Sequence, residues 1–185
     1  NNYHVLLFQG GAHAQFAAVP LNLIGKTDKP KCDIIDTGVW SKKAMNEHKK
    51  WCEINVAYDA SEDNETTVRP VSEWKLSDDA TYVHVTANET MSGLEFLTDP
   101  DVGKDKILCC DMTSTLLSRP VDISKYGVIY ASSGKNLGPA GACVVIVRDD
   151  LLDRSDPTCP GIINYKNQAT SLPIPNVHNT PPTYI

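Results

Sequence analysis

The sequence predicts an α/β domain, a three-layer αβα sandwich built on a mostly parallel, mixed sheet. Its predicted strands are near-continuous apolar runs, as expected for strands that are covered on both faces. Strands alternate with helical segments in the first third of the chain, which is typical of parallel βαβ units. A chain of 185 residues can bury one substantial core, so we expect a single domain.

The individual elements follow from hydrophobic periodicity and from the positions of glycine and proline. Predicted helices cover residues 12–24, where Pro20 marks a bend or an early end, and residues 40–52. The last two strands are too close for a helical crossover, so we expect one antiparallel pair. The segment from Pro157 carries six of the twelve prolines, which predicts mostly extended loop. The predicted strands cover residues 5–8, 32–35, 54–58, 82–85, 107–110, 127–130 and 143–147.

Composition argues against several classes of partner. The net charge of −6 disfavours nucleic acid and anionic membrane surfaces, because both require clustered Lys and Arg. No apolar run approaches the roughly 20 residues that a membrane span needs. A basic cluster on the second predicted helix is interpreted as a solvated face; its members are Lys42, Lys43, His48, Lys49 and Lys50.

The six cysteines indicate a reduced, cytoplasmic protein. Cys109 and Cys110 are adjacent within an apolar strand, and no Cys/His spacing typical of zinc occurs, so we expect no metal site. The chain begins at Asn1 and stops at Ile185 without a terminating element. We interpret it as a piece of a longer protein, so a targeting segment could precede Asn1 in that protein.

Lys135 is the first candidate for chemistry. It lies in a glycine-flanked turn directly after a predicted strand. A lysine that forms an imine must present a neutral amine in a site shielded from water, and glycines let the backbone approach a flat cofactor closely. An ordinary exposed hairpin lysine is the alternative. A phosphate-binding P-loop is excluded, because Ile129 and Asn136 stand where that motif needs Gly and Ser or Thr.

Asp111 directly follows the apolar strand 107–110, so its carboxylate is held where open α/β sheets bind ligands. A carboxylate there can keep a pyridinium nitrogen protonated. Alone, it could equally cap the following turn with Thr113 and Ser114. Together, an aspartate ending one strand and a lysine following the next strand are harder to explain as two ordinary turn residues.

A third element could hold the cofactor's phosphate. Gly10 and Gly11 separate the first strand from the start of a helix, and the N–H groups and dipole of a helix start attract anions. The signal is weak alone, because glycine pairs often only make turns. His13 is interpreted as a residue of the helix start rather than as a catalyst.

Four segments, in matching order, resemble the phosphoserine aminotransferase family of fold-type-I pyridoxal-phosphate transferases; they are residues 15–23, 111–120, 135–141 and 179–183. The resemblance covers the whole chain and implies that residues 1–185 form the cofactor-binding large domain, without an N-terminal segment and a small C-terminal domain. It implies reversible exchange of an amino group between L-glutamate and 3-phosphohydroxypyruvate. The products are 2-oxoglutarate and O-phospho-L-serine, in serine biosynthesis.

The resemblance also implies residue roles. Lys135 would anchor pyridoxal phosphate and act as the catalytic base, Asp111 would bind the pyridine nitrogen, and Trp40 would stack on the ring. Thr90 would hydrogen-bond the cofactor near its phenolic oxygen. The backbone of Ala12 and His13 would hold the phosphate, and Gly134 would lie at the cofactor beside Lys135. Asn179 and Thr180 would reach the phosphate of the neighbouring subunit, which implies a homodimer with shared active sites.

Two positions depart from the family pattern. Ala12 stands where relatives have a third glycine, and Gly134 replaces the glutamine that usually precedes the lysine. The missing amide removes one phosphate contact, and either Ser132 or Ser133 could replace it.

Two other readings stay open. One is a different fold-type-I enzyme, either an alanine–glyoxylate type aminotransferase or a cysteine desulfurase. A desulfurase needs a mobile reactive cysteine, and Cys159 is the least unsuitable. The other is a non-catalytic dimerisation or nucleotide-binding module, although no nucleotide motif supports it.

Overall fold

The computed structural model describes residues 2–170, which contain a seven-stranded sheet and three α-helices. The helices are α1 (Ala12–Leu23), α2 (Val39–His48) and α3 (Tyr165–Thr170). The strands are β1 (Tyr3–Gly10), β2 (Lys31–Asp36), β3 (Glu53–Asp59), β4 (Tyr82–Thr86), β5 (Asn88–Glu89), β6 (Leu94–Glu95), β7 (Leu108–Asp111), β8 (Val128–Ser132) and β9 (Gly141–Arg148). Strands β5 and β6 form a separate two-stranded ribbon.

The sheet is mixed, with strand order β1-β9-β8-β7-β4-β2-β3. All neighbours from β8 to β3 run parallel, whereas β9 is antiparallel to both β8 and β1. The predicted α/β class with a mostly parallel sheet is therefore confirmed, as is an antiparallel pair of the last two strands. The antiparallel partner of β1 was not predicted.

Both faces of the sheet are covered, which explains the continuous apolar runs. In β8, Val128 and Tyr130 face one core cluster, and Ile129 and Ala131 face the other, as the strand period of two requires. The first cluster is closed by the three helices. The second is closed by loops and short 3₁₀ turns that carry Trp74, Phe96 and Leu116, among others.

Helix α1 continues through Pro20 to Leu23, close to the predicted end at residue 24, whereas α2 ends at His48, four residues early, where a turn leads into β3. Helix α3 was not predicted and lies within the segment expected to be mostly loop. This helix begins at Tyr165, whose N–H donates to Asn22 Oδ1 (2.8 Å) and whose hydroxyl bonds Gln15 Oε1 (2.8 Å). Hydrogen bonds to residues so distant in the sequence cannot be recognised from the local residue pattern.

The interpretation of His48 as part of a solvated face is wrong. Its side chain is fully buried, its Nδ1 lies 3.1 Å from the Tyr82 hydroxyl, and its ring meets the ring of His84 at 4.8 Å. Burial lowers the pKa of His48 well below its usual value and lowers the pKa of His84 to about 3. Both imidazoles are thus neutral core groups, while the lysines of the cluster stay at the surface.

None of the helices within residues 2–170 has the length and apolar character needed to cross a lipid bilayer.

Candidate active site

A cavity of about 300 Å³ opens at the carboxyl ends of the parallel strands. Thr86 ends β4, Asp111 ends β7 and Ser132 ends β8, and all three line it. It also brings together the sequence-predicted site residues Ala12, His13, Trp40, Gly134 and Lys135. A larger, more open cleft of about 890 Å³ lies between residues 65–71 and 92–101 and contains none of them. Chemistry rather than size therefore locates the candidate site.

Asp111 supplies a carboxylate at the floor of this cavity. The residue is 6% exposed, and its Oδ1 accepts a hydrogen bond from the Thr113 N–H at 2.9 Å. Burial raises the pKa of Asp111, while the Thr113 hydrogen bonds and the Lys135 charge act in the opposite direction. A buried carboxylate of this kind gains most from a cationic partner such as a pyridinium. The turn-capping alternative holds as well, since one oxygen can cap while the other faces a ligand.

Lys135 and Trp40 meet through Thr90. The Thr90 hydroxyl accepts a hydrogen bond from Lys135 Nζ at 3.0 Å and another from Trp40 Nε1 at 3.2 Å. The Lys135 ammonium lies 5.2 Å from the Trp40 ring centroid, within cation–π range. Thr90 therefore fixes the direction of the amine and the plane of the indole at once.

Lys135 departs from one expectation, because its side chain is exposed rather than shielded from water. The residues that the structure describes leave the mouth of the cavity open above it, since no element of residues 2–170 covers that turn. Shielding of the amine is therefore not provided by this part of the fold.

Glu89 is a buried residue that sequence reasoning missed. Its carboxylate accepts hydrogen bonds from the N–H groups of Trp40 and Ser41, both at 2.8 Å, and from the Thr37 hydroxyl at 3.4 Å. It thereby caps the N-terminus of α2 from another element, where the helix dipole favours an anion. Gly38, at φ +150°, makes this approach possible, since a Cβ there would lie 3.2 Å from the Glu89 side chain. Trp40 is thus positioned by a carboxylate almost fifty residues away in the sequence.

Replacing Glu89 with glutamine should destabilise α2 and loosen Trp40. Both carboxylate oxygens accept from N–H donors, so one side of an amide would confront a donor with another donor. We expect the free energy of unfolding to fall by about 1–3 kcal/mol. Urea denaturation, followed by tryptophan fluorescence, measures this loss.

The exposed Glu73 is the matched control, because Glu73→Gln should change the unfolding free energy by less than about 0.5 kcal/mol. Equal stability of the two variants would contradict the capping role of Glu89.

The start of α1 lines the cavity and can attract an anion. The helix begins at Ala12 after Gly11, and no side chain of the described part of the chain caps it, so its first N–H groups are available to a ligand. Gly10 holds φ +104°, a conformation that favours glycine. Ala12 and His13 line the cavity here, and the ring of His13 packs edge-on against Trp40 at 5.9 Å. Asn179 and Thr180, expected to reach a neighbouring subunit, lie outside the described residues.

Thr86 is a second residue that sequence reasoning missed. Its side chain is 3% exposed, its hydroxyl has no hydrogen-bond partner within residues 2–170, and it lines the cavity beside Asp111, its register partner on β7. A buried hydroxyl is seldom left unpaired, so this atom marks a place for a polar ligand group. Only its position at the end of an apolar strand could have suggested it.

The cysteines offer no reactive thiol at the cavity. All six are free and none of them lines the cavity; Cys32, Cys109, Cys110 and Cys143 are buried. Cys159 is half-buried, and burial raises the pKa of its thiol, which makes it a poorer nucleophile. This argues against the desulfurase alternative.

The arrangement can bind a flat, cationic heterocycle that carries an anionic group. Asp111 would face the cation, α1 the anion, Trp40 the ring and Lys135 an electrophilic carbon.

Known proteins resemble this chain in sequence and in fold. A phosphoserine aminotransferase of Hahella chejuensis (strain KCTC 2396) is 51% identical over 184 residues, which are 100% of this chain and 49% of that protein. The solved phosphoserine aminotransferase of Bacillus circulans subsp. alkalophilus matches with a TM-score of 0.88 at 38% identity, over 100% of this chain and 49% of that one.

A pyridoxal-phosphate-bound phosphoserine aminotransferase from Trichomonas vaginalis matches with a TM-score of 0.85 at 40% identity, over 100% of this chain and 53% of that one. The chain thus spans about half the length of these relatives. The family model described as "Aminotransferase class-V" matches residues 1–172. The fold, the cavity and this match over nearly the whole length agree, and the chain belongs to the class-V aminotransferase family.

Proposed function

We propose that this chain is the cofactor-binding half of a phosphoserine aminotransferase that uses pyridoxal phosphate. The reaction is the exchange of an amino group between L-glutamate and 3-phosphohydroxypyruvate, which yields 2-oxoglutarate and O-phospho-L-serine. The observation that carries the proposal is the single cavity in which Lys135, Asp111, Trp40 and the start of α1 meet. The 51% identity to a phosphoserine aminotransferase supports the choice of substrate class.

The residues of the cavity fit pyridoxal phosphate. The volume of about 300 Å³ accommodates a small ring compound, and the unpaired Thr86 hydroxyl and the Asp111 carboxylate offer polar partners at the ring end. The start of α1 offers the N–H groups of Ala12 and His13, which line the same cavity, as donors to the phosphate. When bound, the cofactor supplies an electron sink that the protein's own side chains lack.

Each residue then has a defined task. Asp111 holds a proton on the ring nitrogen and keeps that nitrogen cationic. Trp40 fixes the ring plane, so that the substrate bond to be broken can align with the π system. Lys135 Nζ moves a proton from and to the substrate α-carbon as general base and then general acid. The Thr90 hydroxyl orients that amine through the hydrogen bond at 3.0 Å.

The assembly around this half is also proposed. Residues 1–185 constitute the large domain of a longer cytoplasmic protein, and substrate-binding groups lie in its other parts. The enzyme is a homodimer in which Asn179 and Thr180 reach the phosphate held by the neighbouring subunit. The exposure of Lys135 supports this proposal, because a second layer of protein is needed to shield the amine.

The test is an amino-donor comparison with the full-length protein supplied with pyridoxal phosphate and 2-oxoglutarate. Glutamate formation should be fast with O-phospho-L-serine and at least about 100-fold slower in kcat/KM with L-serine or L-alanine, since a charged recognition site left unpaired costs several kcal/mol. Equal rates with L-alanine would refute the substrate assignment and favour an alanine-type aminotransferase.

A further inference from the structure

We propose that the hydroxyl of Ser132, and not that of Ser133, donates a hydrogen bond to the cofactor phosphate at the start of α1. This inference rests on the proposed function and adds a phosphate-binding residue to it. Ser132 is the last residue of β8 and Ser133 follows it, and each carries a hydroxyl that could bind an anion.

The hydroxyl of Ser133 already takes part in a hydrogen bond to β9. Ser133 is 1% exposed, and its Oγ accepts a hydrogen bond from the Ala142 N–H at 3.1 Å. Its own N–H donates to the Ala142 carbonyl at 2.9 Å, which closes the β8–β9 hairpin. Ser133 does not line the cavity. Its hydroxyl therefore takes part in the hairpin and lies outside the cavity lining.

Ser132 faces the cavity instead. It is half-buried and lines the cavity, and its Oγ lies 3.2 Å from the point where a Cβ on Gly11 would be. Gly11 is the residue that precedes the first turn of α1, so the hydroxyl is next to the N–H groups that attract an anion. The backbone N–H of Ser132 donates to Thr113 Oγ1 at 3.1 Å, which holds the residue in place.

The residue before Lys135 cannot supply a side-chain donor to the phosphate, so a hydroxyl from a neighbouring residue has a place there. Gly134 carries no side chain, and a Cβ there would lie 3.1 Å from the Cβ of Ala140, so a larger residue would crowd that turn. The Gly134 N–H is directed at Ser132 Oγ at the long distance of 3.5 Å. A hydroxyl that accepts from this N–H keeps its own hydrogen for an acceptor on the other side, and a phosphate oxygen at α1 is such an acceptor.

The experiment compares two ligands in the full-length apoprotein. Pyridoxal phosphate and pyridoxal differ only in the phosphate, and the affinity of each is measured by tryptophan fluorescence quenching and by visible absorption. Ser132→Ala should weaken pyridoxal phosphate by about tenfold to a hundredfold, the loss expected for one hydrogen bond to a charged group, and change pyridoxal by less than about twofold. Ser133→Ala is the matched control; it should lower thermal stability but preserve the affinity ratio of the two ligands.

Three outcomes would overturn the inference. They are an unchanged ratio in Ser132→Ala, an equal loss for both ligands, and a selective loss of pyridoxal phosphate in Ser133→Ala. If the unmodified protein binds neither ligand, the proposed function itself fails, and this result is distinct from the other three.

Discussion

Replacement of Lys135 with alanine is expected to abolish covalent attachment of pyridoxal phosphate and to slow amino transfer by about 10²–10⁴-fold, the contribution of a positioned acid–base group. The reason is that Lys135 Nζ, directed by Thr90 at 3.0 Å, provides both the anchoring amine and the proton carrier. Borohydride reduction of the loaded full-length protein, followed by peptide mapping, should place the label on Lys135 in the unmodified protein and on no residue of Lys135→Ala.

Lys43 provides the matched control. Its ammonium lies 4.4 Å from the Trp40 ring centroid, close to the same indole, but it does not line the cavity. Lys43→Ala should retain the label and the rate within about threefold, as expected for a surface substitution. Label on Lys43, or spread over surface lysines, would refute the assignment of Lys135.

Replacement of Asp111 with asparagine is expected to have opposite effects on function and on stability. An amide cannot hold a proton on the ring nitrogen, so amino transfer should fall by about 10²–10³-fold, the range found for loss of one preorganised charge-stabilising group. The Thr113 N–H keeps its acceptor, because asparagine retains an oxygen in the position of Oδ1. The rate loss would therefore report the charge and not a disrupted turn.

Stability follows from the raised pKa of Asp111. A carboxyl whose pKa is higher in the folded protein than in the unfolded chain lowers the free energy of unfolding when it is ionised. This destabilisation is absent below the unfolded pKa of about 3.9 and develops as the pH rises through the folded pKa. Asp111→Asn should thus raise the unfolding free energy of the apoprotein at neutral pH by about 0.5–2 kcal/mol, as active-site substitutions can.

Thermal unfolding at several pH values tests this sign. The stabilisation by Asp111→Asn should be present at neutral pH and vanish below about pH 4. The exposed Asp122 is the control, because its hydrogen bonds to Ser124 lower its pKa and Asp122→Asn should not stabilise the protein at neutral pH. A destabilised Asp111→Asn apoprotein would show that the carboxylate is structural.

The strand ends and the two groups of chemical interest were predictable, because each is marked by a local pattern. Asp111 follows an apolar strand and Lys135 follows the next one, and parallel strands place their carboxyl ends at one edge of a sheet. The opposite result holds for Glu89 and His48. In the sequence they resemble ordinary surface residues, and only their burial against partners on distant elements reveals their roles.

The sequence by itself determined the α/β class, the mostly parallel sheet and the candidates Lys135 and Asp111, because strand periodicity and residue chemistry are local properties. Tertiary structure alone decided that Glu89 caps α2, that Tyr165 begins a helix against Asn22, and that Ser132 faces the cavity while Ser133 closes the hairpin. In the last case the two serines are adjacent and chemically identical. Successive side chains of a strand point to opposite faces, and the pairing of β8 with β9 fixes which face each one occupies.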